Sequence, residues 1–309
     1  MLSETTRGVY VIAATPFSET GEIDYGSVDS LMDFYLAKGV HGVTILGMMG
    51  EANKLTFEET EQFARYVLRR IAGRVPVVVG ITSQALSTLQ ALARTAMDAG
   101  AAGVLVAPVA GLRTDDQIYD YFAAVCRTLG PNVPFALQDY PQATGVFLSA
   151  SLFSRMVMAF PQLVMLKHED CPGLGKLSQI RIDAERQGLR RVSILTGNGG
   201  LYFPQELRRG ADGAMTGFAY PEMLVQTYGH FAVGDPEGAE DIFDIYLPLV
   251  RYEQQPGFGL AVRKELLRRR GAIASAKVRA PGPTLTGDDI QELNRLQARL
   301  ERALGFAQK

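Results

Sequence analysis

The chain has 309 residues, and 31 Lys and Arg against 33 Asp and Glu leave a formal charge of −2, a balance that argues against a nucleic-acid partner. With 47% hydrophobic and 21% charged residues it is composed to bury a large core, which excludes disorder. Two cysteines, Cys126 and Cys171, build no disulfide framework, and the apolar stretch at 101–110 is far below the roughly 20 residues of a bilayer crossing. Residues 9–14 lack the basic leader of a signal peptide, so the expectation is a soluble cytoplasmic protein with no membrane partner.

In chain order, short runs rich in Val, Ile and Leu occur at 9–14, 42–46, 75–79, 103–107, 133–137, 163–166, 192–195 and 213–216. Most are continuously apolar rather than alternating, the pattern of parallel strands covered on both faces. Between them lie stretches of helical period. Thr56 with Glu59 forms a capping box, Phe63, Ala64, Val67, Leu68 and Ile71 recur on one face, and Gly73 is the expected stop. Helices are likewise predicted at 85–99, 115–129 and 149–159. Strands alternating with helices in this way predict an α/β fold, a (β/α)8 TIM barrel over 1–234. An open doubly wound sheet is the alternative, weakened by the lack of a G-x-G-x-x-G after the first strand.

Residues 235–309 read as a C-terminal helical extension packed on the barrel, with helices at 236–252, 257–270 and 288–303. Pro281, Gly282 and Pro283 make a rigid connector, and Ile290, Leu293, Leu296 and Leu300 form an apolar stripe that must pack on something. The basic cluster Arg263, Lys264, Arg268, Arg269 and Arg270 reads as a solvated face rather than an anion site.

In such a barrel chemistry belongs to the C-terminal ends of the strands. Lys167 follows the sixth run with apolar neighbours, an environment that disfavours the ammonium form and frees an amine to attack a ketone. By position alone, a lysine snorkelling from the rim is an equal reading. After the second run, the glycines of Gly47-Met48-Met49-Gly50-Glu51 let backbone N–H groups face the site as a seat for a carboxylate. Gln138, Asp139 and Tyr140 follow the fifth run within reach of Lys167, Asp139 being read as a pocket acid or a turn residue. Gly197-Asn198-Gly199-Gly200 and Thr216-Gly217 complete the rim.

Over nearly its whole length the chain resembles the dihydrodipicolinate synthase and N-acetylneuraminate lyase family of Schiff-base lyases and aldolases. The resemblance rests on Thr15-Pro16-Phe17, the 47–51 loop in place of the family's G-x-x-G-E, Gly80, Thr144-Gly145 and Lys167. It implies that Lys167 forms an imine with a 2-keto acid, that no other cofactor is needed, that the 47–51 loop holds the keto acid's carboxylate, and that the chain is a homo-oligomer, dimer or tetramer. Several positions depart from the family pattern. Gln138 stands where Y-N-x-P members carry a relay tyrosine, Met48 and Met49 replace two threonines, Ala143 replaces an arginine, and Val109 and Ala110 replace paired tyrosines.

The Q-D-x-P pattern, with residues 247–274, resembles a branch containing 2-keto-3-deoxy-L-arabonate dehydratases. The favoured expectation is therefore dehydration of a 2-keto-3-deoxy sugar acid through Lys167, with Tyr140 or Glu169 supplying the proton and Gln138 orienting a water or hydroxyl. Thr15, Gly47, Met48, Met49, Gly50, Glu51, Asn198, Thr216 and Gly217 are the candidate substrate contacts. The alternatives are a pyruvate-dependent aldolase or 4-hydroxy-tetrahydrodipicolinate synthase and, in another class, a non-catalytic 2-keto acid binding protein. A metal enzyme is disfavoured, because His41, His168 and His230 are scattered and strand alternation turns His168 away from the face of Lys167.

Overall fold

A computed structural model describes residues 1–307. Eight parallel strands, β1 (Gly8–Ile12), β2 (Gly42–Ile45), β3 (Val77–Gly80), β4 (Gly103–Val106), β5 (Phe135–Asp139), β6 (Leu163–His168), β7 (Ser193–Thr196) and β8 (Gly213–Thr216), pair in sequence order, and β8 closes on β1. The chain is a TIM barrel. Alternation along each strand divides the core in two: Val9, Val11, Val43 and Ile45 face the helical layer, whereas Tyr10, Ile12, Val78, Leu105, Met165 and Met215 fill the barrel. Burial on both faces explains why the strands read as unbroken apolar runs.

Strand boundaries shift from the sequence expectation for local reasons. Pro76 and Pro134 have no N–H to give to a ladder, so β3 and β5 begin just after them. β6 runs two residues beyond its apolar run, because its ladder continues through Gly197 N to His168 O at 2.9 Å, while Glu169 N bonds to Asp139 O at 2.9 Å. Lys167 therefore lies within the strand rather than beyond it.

The Phe57–Ile71 helix carries the expected capping box in full, with Thr56 Oγ1 accepting from Glu59 N and Glu59 accepting from Thr56 N. It stops at Ala72, whose φ of 50° is already left-handed, one residue before Gly73. Asp115–Leu129 forms as predicted, and Ser149 caps the Ala150–Ala159 helix from outside it.

Beyond β8, the Pro221–Ala232 helix is followed by Pro236–Glu253, Gly259–Arg269 and Gly287–Ala307. Leu293 and Leu300 of the last helix are buried in the same core as Phe243 and Leu249 of the Pro236–Glu253 helix, so the apolar stripe is covered within the chain. Among the described residues, no helix is long and apolar enough to cross a membrane.

The basic cluster corrects the expectation of a solvated face. Arg263 and Lys264 are only 2% and 0% exposed: Arg263 Nε bonds to Glu253 Oε1, and Lys264 Nζ to Glu51 Oε1 and, at 2.8 Å, to Lys277 O. Their carboxylate partners come from other elements, which is why a pattern read along one helix misses them. Arg268 does remain at the surface, bonded to Glu265, while Arg270 lies over the Tyr220 ring and pairs with Glu222.

Candidate active site

Lys167 and Met165 share the inward face of β6, and Gln138 of β5 is the register partner of Lys167. The lysine is 3% exposed, and its Nζ lies 2.7 Å from Glu169 Oε2. Gln138 Nε2 donates to that same oxygen at 2.6 Å. A buried carboxylate thus joins the amine to an amide on the neighbouring strand, which offsets the cost of burying the charges. Tyr140, half-buried just after β5, has its phenol pKa raised above the ordinary value by burial and then by the Glu169 charge, so it keeps its proton. These four residues are the whole of the predicted catalytic set: Lys167, Glu169 and Gln138 are joined by direct contacts, and Tyr140 stands near enough to feel the Glu169 charge.

His168 points outward, as alternation predicts. Its Nε2 is 3.0 Å from Gly173 O and its Nδ1 3.4 Å from Asp139 Oδ2. Burial works against its imidazolium, but the hydrogen bond and charge of Asp139 outweigh it, and the pKa is raised. Asp139 corrects both sequence readings, being neither a pocket acid nor a turn residue. It ends β5 on the outer face, buried, with Lys176 Nζ at 2.6 Å. Nearby Glu206 is pushed up to about 7 by burial. Among the described residues, no group of three or more His, Cys, Asp or Glu is arranged to hold a metal ion.

A cavity of about 530 Å³ opens over the ends of β2 to β5, lined by Leu46, Gly47, Met48, Thr82, Gln138 and Leu260 among others. The 47–51 loop is a tight turn flanked by Leu46 and Glu51, both left-handed at φ 58° and 57°. Together with Asn198 at φ 50°, these place at the rim three of the four left-handed non-glycine residues among the described residues, and backbone strain commonly marks a functional site. Gly80 must lack a side chain, since a Cβ there would lie 2.1 Å from Leu46 O.

Several predicted substrate contacts are braces in this state. Thr15 Oγ1 donates to Gly50 O at 2.6 Å, Thr216 Oγ1 accepts from Gly199 N at 2.7 Å, and Asn198 Nδ2 donates to Glu169 O at 3.0 Å. Gly217 lies against the Arg263 guanidinium. Met48 reaches the cavity, whereas Met49 packs on the barrel interior. The Glu51 carboxylate is engaged by Lys264, by Lys54 Nζ at 2.8 Å and by Arg279 N at 3.0 Å. Burial, opposed by Glu51, lowers the Lys264 pKa to about 8. Thr82, Asn53 and Leu260 line the cavity without having been predicted. Thr82 follows β3 closely enough to be found by the strand-end rule, but nothing in the sequence brings Leu260 of the extension to this rim.

Chemically, the site offers a primary amine that can add to a ketone and a carboxylate beside it that can take and return a proton. The carboxylate has two donors, so its own direction is fixed.

Residues 5–300 match the Dihydrodipicolinate synthetase family. The chain is 30% identical over 305 residues, 96% of its length and 94% of the other, to an L-2-keto-3-deoxyarabonate dehydratase from Azospirillum brasilense. It is 30% identical over 302 residues, 95% and 97% of the two chains, to a 4-hydroxy-tetrahydrodipicolinate synthase from Sorangium cellulosum. The crystal structure of a dihydrodipicolinate synthase from Rhodopseudomonas palustris is similar at a TM-score of 0.94 and 44% identity, covering 96% of this chain and 99% of that one.

Proposed function

The chain belongs to the dihydrodipicolinate synthetase family of class I aldolase-type lyases, and from that membership we propose that it dehydrates a 2-keto-3-deoxy sugar acid, 2-keto-3-deoxy-L-arabonate being the first candidate, through an imine on Lys167. The observation that carries this reading is the Lys167–Glu169–Gln138 contact, which puts a carboxylate 2.7 Å from the amine and an amide where a relay hydroxyl would otherwise be.

The amine adds to C2 of the keto acid and water leaves, giving the imine. The imine acidifies C3, and Glu169 removes a proton there to give the enamine. The enamine expels the C4 hydroxyl, which leaves as water with a proton from Glu169 or Tyr140. Loss of one C5 proton and of the C5 hydroxyl proton, with protonation at C3 and C4, isomerises the unsaturated imine to an aldehyde at C5 with no net change in protons. Hydrolysis then releases 2-oxoglutarate semialdehyde and the free lysine. No redox partner enters, and one water is lost overall. The 47–51 loop is the proposed seat of the carboxylate through its backbone, with Met48 giving it an apolar wall. The wider cavity is free for the hydroxylated end.

The Sorangium and Rhodopseudomonas relatives support a second reading, condensation of the pyruvate enamine with an aldehyde. Gln138 stands against it, because an amide does not exchange protons usefully near pH 7. We also propose a homo-oligomer, which would cover Phe147 and Met158, 71% and 62% exposed here.

The test is borohydride trapping with pyruvate and, separately, 2-keto-3-deoxy-L-arabonate, reading intact mass and the modified peptide while following semialdehyde release. An adduct on Lys167 with semialdehyde formed is the expected result. An adduct without turnover removes the dehydratase and redirects the search to other 2-keto acids or to a binding role. No adduct with any 2-keto acid in folded protein removes the Schiff-base reading.

A further inference from the structure

Glu169 leaves the backbone one residue beyond β6, and its side chain folds back across the start of the loop after β7. A Cβ at Gly197 would lie 2.0 Å from Glu169 Cγ and 2.4 Å from Oε1, closer than any real contact. Gly197 has φ −114°, so its own backbone does not call for the left-handed freedom of glycine. The missing side chain serves its neighbour. Two bonds fix the same junction: Gly197 N donates to His168 O at 2.9 Å, and Asn198 Nδ2 donates to Glu169 O at 3.0 Å. Asn198 stands at φ 50°, a conformation that asparagine tolerates better than most residues.

We infer that the β7 loop is the seat of the Glu169 carboxylate, Gly197 leaving the space in which the side chain lies and Asn198 holding the backbone from which it springs. The seat keeps Oε2 on Lys167 Nζ instead of letting the carboxylate swing into the cavity. Gly197 and Asn198 are thus positioning residues that act through Glu169, which moves Asn198 from the substrate contacts to the support of the acid–base group. The inference rests on the roles of Lys167 and Glu169 proposed above.

Exchange of the pyruvate methyl protons in D2O, followed by NMR, isolates this function from the choice of sugar acid. Pyruvate and Lys167 form the imine with loss of water, Glu169 takes a methyl proton to give the enamine, and a deuteron from solvent is returned, with no net reaction. The full chain is compared with its Gly197→Ala and Asn198→Gly variants by exchange kinetics, by borohydride trapping with pyruvate and by crystal structure. Asn198→Gly removes the amide while keeping a residue at ease at positive φ, so it preserves the fold if Gly197→Ala does not.

In Gly197→Ala the Glu169 carboxylate is expected to move away from Nζ and the exchange kcat to fall about 100-fold, the scale of a misplaced reacting group, with KM and trapping yield close to wild type. Asn198→Gly is expected to lower kcat about tenfold on the same pattern, as the loss of one supporting bond does. Parallel losses of kcat, trapping and stability would mark a merely structural role and overturn the inference, as would exchange within twofold of wild type in both variants. If the wild-type chain forms no adduct, the functional reading has failed. The position of the carboxylate in the variant structures then still decides whether the loop is its seat.

Discussion

Glu169 Oε2 accepts from both Lys167 Nζ and Gln138 Nε2, so changes at these positions separate imine formation from proton transfer. Glu169→Gln keeps the shape and removes the base. Trapping of the keto acid on Lys167 should persist while dehydration slows by about 10²–10⁴-fold, the usual worth of a positioned acid–base group. Equal turnover in the variant would assign the proton to Tyr140 instead. Gln138→Ala takes one donor from the carboxylate and should lower turnover about tenfold with the imine intact, whereas an unchanged rate would remove Gln138 from the site. Lys167 was legible because it directly follows an apolar run, Gln138 because it follows the run of the adjoining strand, and Glu169 because it stands two residues beyond Lys167. Thr15, Asn198 and Thr216 were legible only as rim residues. Their polar groups turn toward Gly50 O, Glu169 O and Gly199 N, and the direction of a rim side chain depends on partners from other loops.

The 47–51 loop and the C-terminal extension form one mechanical unit. The Glu51 carboxylate bonds to Lys264 of the Gly259–Arg269 helix and to Arg279 N in the following segment, and the Lys264 ammonium and the Arg279 guanidinium both lie over the Phe17 ring, at 4.5 and 4.4 Å from its centroid. Glu51→Gln would leave the Lys264 charge buried without its carboxylate. It should cost roughly 3–5 kcal/mol, read as a lower urea midpoint with an unchanged slope, and it should raise KM because the turn is no longer held. Replacing both members, Glu51→Gln with Lys264→Met, should recover most of the stability, since the stranded charge is gone. A single variant as stable as wild type would show that the tie contributes nothing. This unit explains what the sequence left hidden. The barrel strands and the Phe57–Ile71 helix are written locally, in apolar period and capping box, whereas the burial of Arg263 and Lys264 depends on Glu253 and Glu51, contributed by other elements.

Across the whole molecule, stability should respond to pH through buried groups that the chemistry does not use. Glu206, in the Phe203–Arg208 helix behind the β6–β7 wall, is pushed up to about 7 by burial, from an ordinary 4.5. Between those two values the folded chain binds more protons than the unfolded one. Its contribution is therefore full below pH 4.5 and lost as pH rises through about 7. The raised pKa of His168 has the same sign, giving stability that is present below its unfolded value and lost as pH passes the higher folded one. Lys264 works oppositely and elsewhere on the scale. Its folded pKa of about 8 lies below the ordinary lysine value of 10.5, so the unfolded chain binds the extra proton in that window and stability rises as pH passes from about 8 toward 10.5. At Glu206 a displacement from 4.5 to about 7 is worth on the order of 3 kcal/mol at one buried site. Glu206→Gln keeps a neutral amide in its place at every pH. The variant should match the wild-type Tm near pH 5 and exceed it near pH 8 by several degrees. Thermal unfolding of both chains at the two pH values checks this, and an equal drop in Tm between pH 5 and pH 8 in both would show that Glu206 is not the group that loses its proton.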